Sequence, residues 1–234
     1  MGRVWPRRSG GGRPLNSVVS RHSMSQRERC GGVQGYAESA SELIKRYEAI
    51  SFPENHEALL ALIPVKCSRA LDIGAGAGGD AGWLAEQGYE VVAVEPTTEF
   101  RKYASQRHLS PRIEWVDDRL PHLSHLVKRN QTFDLIIVSA VWMHLEPEER
   151  SVAMPVLASL LSPGALLYIS LRHGPKPKDR MMFDVPPAET VASAKASGLS
   201  VVLNLSKAST QLSNREAGVI WSQLAFVKHG QNDG

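Results

Sequence analysis

From Tyr36 onward the apolar positions follow two alternating periods. Ala40, Leu43, Ile44 and Tyr47 recur at helical spacing, and Ala58, Leu59, Leu60, Leu62 and Ile63 repeat the pattern until Pro64 ends the second helix. Short aliphatic and β-branched runs then take over: Ala70 to Ile73, Glu90 to Glu95, Ile113 to Val116, Phe133 to Ser139, Ala165 to Leu171, Leu199 to Leu205 and Val219 to Val227. Separated mostly by helix-length segments, such runs predict a parallel sheet covered on both faces. The last two differ, because only polar residues without an apolar helical stripe lie between Leu205 and Val219. Those strands are expected to form an antiparallel pair at the sheet edge. Val152, Val156 and Leu160 predict a helix from about Pro147 to Leu161, stopped by Ser162-Pro163-Gly164. Pro155 lies inside it, where an interior proline costs about 3 kcal/mol, so a kink or an early start is expected.

Residues 1–35 break the pattern. They combine glycine clusters, serines and few apolar side chains, and are expected to be a disordered, solvated extension rather than a basic tail that touches nucleic acid or an acidic surface; Met24, inside the segment, is an alternative natural start. They also change the meaning of the net charge of +3: seven arginines and one acid give this segment +6, so residues 36–234 carry −3. The folded part, expected over residues 36–230, has no basic excess for a phosphate backbone, which weighs against a nucleic-acid substrate. No run approaches the roughly 18 to 20 apolar residues needed to span a bilayer, and the basic N-terminus lacks the apolar segment of a secretory signal, so a cytoplasmic protein is expected. Cys30 and Cys67 share no metal-ligand spacing with the histidines and are read as free thiols.

The chemistry concentrates at Ala70-Leu71-Asp72-Ile73-Gly74-Ala75-Gly76-Ala77-Gly78-Gly79-Asp80, which leaves a strand and enters a helix. Glycine allows positive φ in that turn and lets a ligand approach the backbone, where the exposed amides of the helix start can bind a carboxylate or phosphate. Gly74, Gly76 and Gly79 also satisfy the G-x-G-x-x-G dinucleotide fingerprint, and Glu95, 21 residues after Gly74, sits where an acid accepts from ribose hydroxyls. Asp72 separates the two readings. A carboxylate two residues before the first glycine repels a pyrophosphate but suits the ammonium of a bound amino acid.

Leu71-Asp72-Ile73-Gly74-Ala75-Gly76-Ala77-Gly78 resembles the first motif of class I S-adenosylmethionine-dependent methyltransferases. Val94-Glu95-Pro96 is similar to that family's acidic second-strand end, and Trp115-Val116-Asp117-Asp118-Arg119-Leu120-Pro121 to its loop after the third strand. Phe133 to Ser139 looks like its fourth strand. The resemblance implies a Rossmann-like α/β fold: a seven-stranded, mostly parallel sheet with helices on both faces and an antiparallel C-terminal pair. It implies S-adenosyl-L-methionine as cofactor, held by Asp72, Gly74, Ala75, Gly76, Gly78, Glu95 and Ser139. Glu95 would take the ribose hydroxyls, and Asp117 or its neighbour Asp118 the adenine amino group, with Asp117 favoured by its distance to Leu120-Pro121.

Methyl transfer depends mainly on in-line alignment, with a general base needed chiefly where the acceptor loses a proton. His144, after the fourth strand, is the candidate base, against a purely structural role. Arg172, in Arg172-His173-Gly174-Pro175, can bind an acceptor carboxylate or phosphate, or be a solvated loop residue. Tyr36 and Tyr47 are candidates for a lid, or for a helix packed on the sheet edge, while Trp142 and Met143 can line the acceptor pocket or fill the core. Asp80 is expected to cap its helix. His108, His122 and His125 have no convergent ligands, and no metal is assigned. The leading expectation is methylation of a small-molecule acceptor. The alternatives are a catalytically silent S-adenosylmethionine-binding partner subunit, an RNA methyltransferase and a nicotinamide-dependent oxidoreductase. Oligomeric state is left open.

Overall fold

The structure, a computed structural model, describes Met1, Tyr36 and residues 40–48, 50–63, 68–177 and 180–230. The expected basic extension, Met24, Cys30, Pro64 and Cys67 lie outside the described residues. In chain order the elements are α1 (Ala40–Glu48), α2 (Phe52–Asn55), α3 (Glu57–Leu60), β1 (Arg69–Ile73), α4 (Gly79–Glu86), β2 (Glu90–Val94), α5 (Thr98–Arg107), β3 (Ile113–Val116) and α6 (Ser124–Val127). They continue with β4 (Phe133–Val138), a 3-10 turn (Trp142–His144), α7 (Pro147–Leu160), β5 (Leu161–His173), α8 (Pro187–Ala196), β6 (Leu199–Ala208), α9 (Leu212–Glu216) and β7 (Ile220–Lys228).

The seven strands form one sheet in the order β3-β2-β1-β4-β5-β7-β6. β1 to β5 pair in parallel, whereas β7 runs antiparallel to both β5 and β6. The fold is therefore the mostly parallel α/β sheet expected, with its antiparallel pair at one edge. The two faces of β1 divide by the pleat. Leu71 and Ile73 join the core under α7, with Met154 and Leu157, while Ala70 packs on the opposite side with Ala81, Leu84, Phe52 and Leu59. Asp72 follows Ala70 onto that second face, in register with Ile137, which pairs in turn with Tyr168.

α7 passes through Pro155 without a break in its assigned helix. Pro155 is exposed there, and the buried stripe is Ala153, Met154, Leu157 and Ala158 rather than the Val152 edge, which faces solvent. The helix start is fixed by Pro147 and by a reciprocal cap between Glu146 and Glu149. α9 was not expected. It buries no residue, so it leaves no apolar stripe in the sequence.

Candidate functional site

Because β1, β2, β4 and β5 are parallel, their C-terminal ends meet at one edge of the sheet, where the chain must turn into its crossovers. A cavity of about 520 Å³ opens there, lined by residues that include Tyr36, Asp72, Gly74 to Ala77, Asp80, Glu95, Ser139, His144 and Arg172. That volume lies within the range of small-molecule sites, roughly 300 to 1,000 Å³.

The glycine turn forms one wall. Gly74, Gly76 and Gly78 have φ of +73°, +54° and +85°, conformations that cost other residues about 1–2 kcal/mol each. A Cβ on Gly74 would run into Cγ2 of Val141, and one on Gly78 would lie 2.7 Å from the Trp115 ring. Gly78 thus faces the packing behind the turn and does not line the cavity, in contrast to Gly74, Ala75 and Gly76.

Glu95 leaves β2 pointing under this turn. Its Oε2 accepts from the Gly76 amide at 2.9 Å and its Oε1 from the Thr97 amide at 2.7 Å, and Arg101 Nη1 donates to its carbonyl at 2.6 Å. Burial pushes the Glu95 carboxyl above its usual range, against the lowering effect of those two amides. Asp72 is 2% exposed, and its Oδ2 has no partner among the described residues. Burial, then the nearby charges of Asp80 and Glu95, push its carboxyl well above the usual range. An uncompensated buried carboxylate between two other acids is a place for a cation. Asp80 does not cap α4; its Oδ2 meets Nε2 of the fully buried His56 at 2.9 Å.

The loop after β3 corrects an expectation. Asp118 accepts from the amides of Arg119, His125 and Leu126, so its buried carboxylate satisfies the start of α6 and does not reach the cavity. Asp117 is two-thirds exposed, pairs with Arg101 Nη2 at 2.9 Å and likewise lies outside the cavity lining. Of the two acids, only Asp117 presents a carboxylate to solvent near the Glu95 loop.

The far wall carries His144 and Tyr36. Nδ1 of His144 lies 2.6 Å from the Met181 carbonyl, which can only accept, so this nitrogen carries a proton. Burial pushes the imidazole pKa below its ordinary 6.5, leaving a neutral ring whose Nε2 accepts from the Tyr36 hydroxyl at 2.9 Å. Burial also pushes the Tyr36 phenol up, so it holds its proton at neutral pH. α1 packs on α5 through Leu43, Tyr47 and Phe100. The Tyr47 ring lies 3.8 Å from where a Gly76 Cβ would be, so this helix covers the glycine turn. Ser139 lies on the rim, followed by Ala140 at φ +57°, whose amide donates to Ser170 Oγ at 2.8 Å. Met143 lines the cavity, but the expectation that Trp142 does so gives way: its side chain is 1% exposed and belongs to the main core.

Arg172, next to last in β5, lines the cavity, with Nη1 donating to the Pro175 carbonyl at 2.5 Å. Arg180 joins it, its guanidinium 5.2 Å from the centre of the Tyr36 ring. Sequence reasoning passed over Arg180, although the basic run Lys176-Pro177-Lys178-Asp179-Arg180 directly follows the Arg172 segment. His56, Lys207 and Gln223 were passed over too, because nothing local marks them. Lys207 and Gln223 both donate to the Asn55 carbonyl and tie β6 and β7 to the end of α2.

Residues 70–164 match a family model described as a methyltransferase domain. An uncharacterized methyltransferase of Alkaliphilus oremlandii (strain OhILAs) is 35% identical over 100 residues, which are 43% of this chain and 44% of that protein. Glycine N-methyltransferase of Rattus norvegicus is 30% identical over 120 residues, 46% of this chain and 41% of that protein. The chain thus aligns with less than half the length of these two relatives. Among solved structures, 1,6-didemethyltoxoflavin-N1-methyltransferase of Burkholderia thailandensis, with bound 1,6-didemethyltoxoflavin and S-adenosylhomocysteine, superimposes with a TM-score of 0.65 at 19% identity. That likeness of fold covers 83% of this chain and 86% of the other.

Proposed function

We propose that the chain is a class I S-adenosylmethionine-dependent methyltransferase, which binds S-adenosyl-L-methionine on the glycine turn and methylates a small molecule. The observation that carries this reading is the Asp72 carboxylate, buried in the cavity wall with one oxygen unpartnered among the described residues. A dinucleotide pyrophosphate would be repelled there, whereas the ammonium of the methionine moiety supplies the missing donor. Glu95 accepts the ribose hydroxyls, Gly74, Ala75 and Gly76 let the ligand approach the backbone, and Ser139 bounds the methionine end. Asp117, free of the capping work that occupies Asp118, serves the adenine amino group.

When bound, the cofactor supplies a methyl carbon on sulfur: the acceptor's lone pair forms the new bond to that carbon while the carbon–sulfur pair returns to sulfur. The chain's own part in an acceptor carrying N–H or O–H is to take the proton. The Tyr36 oxygen receives it as the Tyr36 hydroxyl passes its own proton to Nε2 of His144, and the Met181 carbonyl stabilises the imidazolium through Nδ1–H. Such positioned proton transfer is worth about 10² to 10⁴ in rate.

Calorimetric titration with S-adenosylmethionine tests the assignment, comparing wild type with Glu95→Ala and using a nicotinamide dinucleotide as competitor. Micromolar binding that is lost in the variant and unaffected by the dinucleotide is expected; a well-folded wild type that binds only the dinucleotide would overturn it.

A further inference from the structure

Oδ2 of Asp72, the Tyr168 hydroxyl and Oε1 of Gln223 are buried and have no hydrogen-bond partner among the described residues. All three side chains line the cavity, on the sheet face that packs against α2 and α4. An interior polar group left without a partner costs about 1–3 kcal/mol, so several of them at one cavity floor mark a place where a ligand supplies the partners. The cofactor accounts for only one. Asp72 is on β1 and Gln223 on β7, three strands away in the order β1-β4-β5-β7, which at the usual strand spacing is roughly 14 Å. The ammonium that answers Asp72 therefore does not reach Gln223. Tyr168 and Gln223, by contrast, are diagonal neighbours on one face of the β5–β7 ladder, because Tyr168 pairs with Ala225 and Ser170 with Gln223. Residues so related lie about 7–8 Å apart, close enough for a phenol and a long amide to meet one group between them.

What already holds these two side chains fixes their chemistry. Nε2 of Gln223 donates at 2.8 Å to the Asn55 carbonyl, which can only accept, so the amide is oriented and Oε1 is left to accept. Burial, then the charge of Asp80, push the Tyr168 phenol above its ordinary 10, so the hydroxyl keeps its proton and can donate. The Tyr168 ring is itself held edge-to-face against His56, with ring centres 5.2 Å apart. The nearby charges are of both signs and already engaged: Asp80 with Nε2 of His56 at 2.9 Å, and Lys207 with the carbonyls of Glu54 and Asn55. The floor thus presents one acceptor and one donor side by side, without an excess of either charge. A carboxylate cannot donate to Gln223, and an ammonium cannot accept from Tyr168. A group with an N–H beside a carbonyl does both.

Resting on the reading of this cavity as a methyl-transfer site, we propose that the acceptor is a neutral small molecule carrying an amide or lactam group, whose N–H donates to Oε1 of Gln223 and whose carbonyl accepts from the Tyr168 hydroxyl. Tyr168 and Gln223 then determine acceptor specificity from the floor of the cavity that Tyr36 and His144 also line. An analogue lacking either half of the group leaves a buried partner unpaired, and a site built to hydrogen-bond its ligand rejects such analogues strongly.

The test follows the Gln223 side-chain amide by heteronuclear NMR in the full chain, saturated with S-adenosylhomocysteine and titrated with acetamide. The control ligands, at equal ionic strength, each lack part of the group: N,N-dimethylacetamide has no N–H, acetate only accepts, and methylammonium only donates. Saturable shifts with acetamide, at a lower Kd than with any control, are expected. Tyr168→Phe should weaken acetamide binding roughly three- to tenfold and leave S-adenosylhomocysteine affinity unchanged. Because that substitution removes an unpartnered buried hydroxyl, the unfolding midpoint of the free chain should hold or rise, which separates lost binding from lost folding. No saturable shift, a control that binds as tightly, or a Tyr168→Phe chain that binds acetamide like the wild type would overturn the proposal. So would an apparent S-adenosylhomocysteine Kd that rises in proportion to added acetamide, because the floor would then belong to the cofactor. A wild type that fails to bind S-adenosylhomocysteine strikes the cofactor assignment instead, and acetamide titrations of the free chain still report on Tyr168 and Gln223.

Discussion

Replacing Asp72 by Asn should move binding and stability in opposite directions. In the wild type one carboxylate oxygen is taken by the Ala81 amide and the other is buried without a partner among the described residues, close to Asp80 and Glu95. Burial and those two charges raise the folded pKa well above the ordinary 3.8. The folded chain therefore holds this proton more tightly than the unfolded chain, and the associated stability, full below 3.8, is lost as pH rises through the folded value. Asn escapes that loss. Asp72→Asn should accordingly raise the unfolding midpoint of the free protein near neutral pH, by a margin that shrinks in mildly acidic buffer. Binding responds the other way, because the ammonium of the cofactor loses a charge-assisted hydrogen bond of about 1.5–3 kcal/mol. At 1.4 kcal/mol per decade this corresponds to a roughly 10- to 150-fold weaker Kd. Calorimetric titration and thermal unfolding of the same preparations measure both. An Asn variant that binds S-adenosylmethionine like the wild type, or that is less stable at both pH values, would refute the assignment of Asp72 to the cation.

Tyr36→Phe removes the hydroxyl between acceptor and His144 and should lower kcat by about 10² to 10⁴ with little change in cofactor Kd. In the wild type, activity should fall as pH drops, with the acid limb below 6.5 because burial lowers the His144 pKa, and the limb should flatten in Tyr36→Phe when rates are profiled against pH. Asp118→Ala leaves the amides of His125 and Leu126 without their acceptor, so denaturant unfolding should show a loss of about 1–3 kcal/mol while S-adenosylmethionine affinity is retained. Gly74→Ala places a Cβ against Val141 and forces alanine to φ +73°. A double-mutant cycle with Val141→Ala should recover the contact but not the roughly 1–2 kcal/mol of backbone cost.

The cofactor wall was legible because its requirements are local. A strand rich in buried aliphatics, a positive-φ turn and an acid at the end of the next strand are each written in a few adjacent residues, and β3 falls exactly on the expected Ile113 to Val116. The wall proposed for the acceptor was not, because it is assembled from distant segments. The Tyr36–His144 hydrogen bond joins positions 108 apart in the chain, and the Arg180–Tyr36 contact depends on where the segment after β5 returns. β5 itself begins at Leu161, before the Ser-Pro-Gly expected only to stop a helix, because Leu161 pairs with Phe133 across a bulge in the ladder. Trp142 shows the converse limit: a large aromatic beside a catalytic candidate reads the same in sequence whether it faces a ligand or the core, and only packing decides.

The antiparallel strand pair shapes the wall proposed for the acceptor. In a wholly parallel sheet each strand next to β5 would arrive at the cavity edge by its C-terminal end and leave through a crossover. β7 instead starts at that edge, with Trp221 opposite Arg172 and Gln223 opposite Ser170, and β6 ends there with Lys207 opposite Trp221. Reversing one strand thus brings the first residues of β7 and the last of β6 to the same rim, joined only by the short connection that contains α9. The β7 ladder fixes the backbone of Arg172, whose side chain lines the cavity. The same arrangement separates the acids of the cavity from its cations along the chain. The segment matched by the methyltransferase-domain model carries the acids and glycines that line the cavity. The cations lie outside that segment, in α1 and after residue 164, where acceptor recognition can diverge without disturbing the cofactor wall.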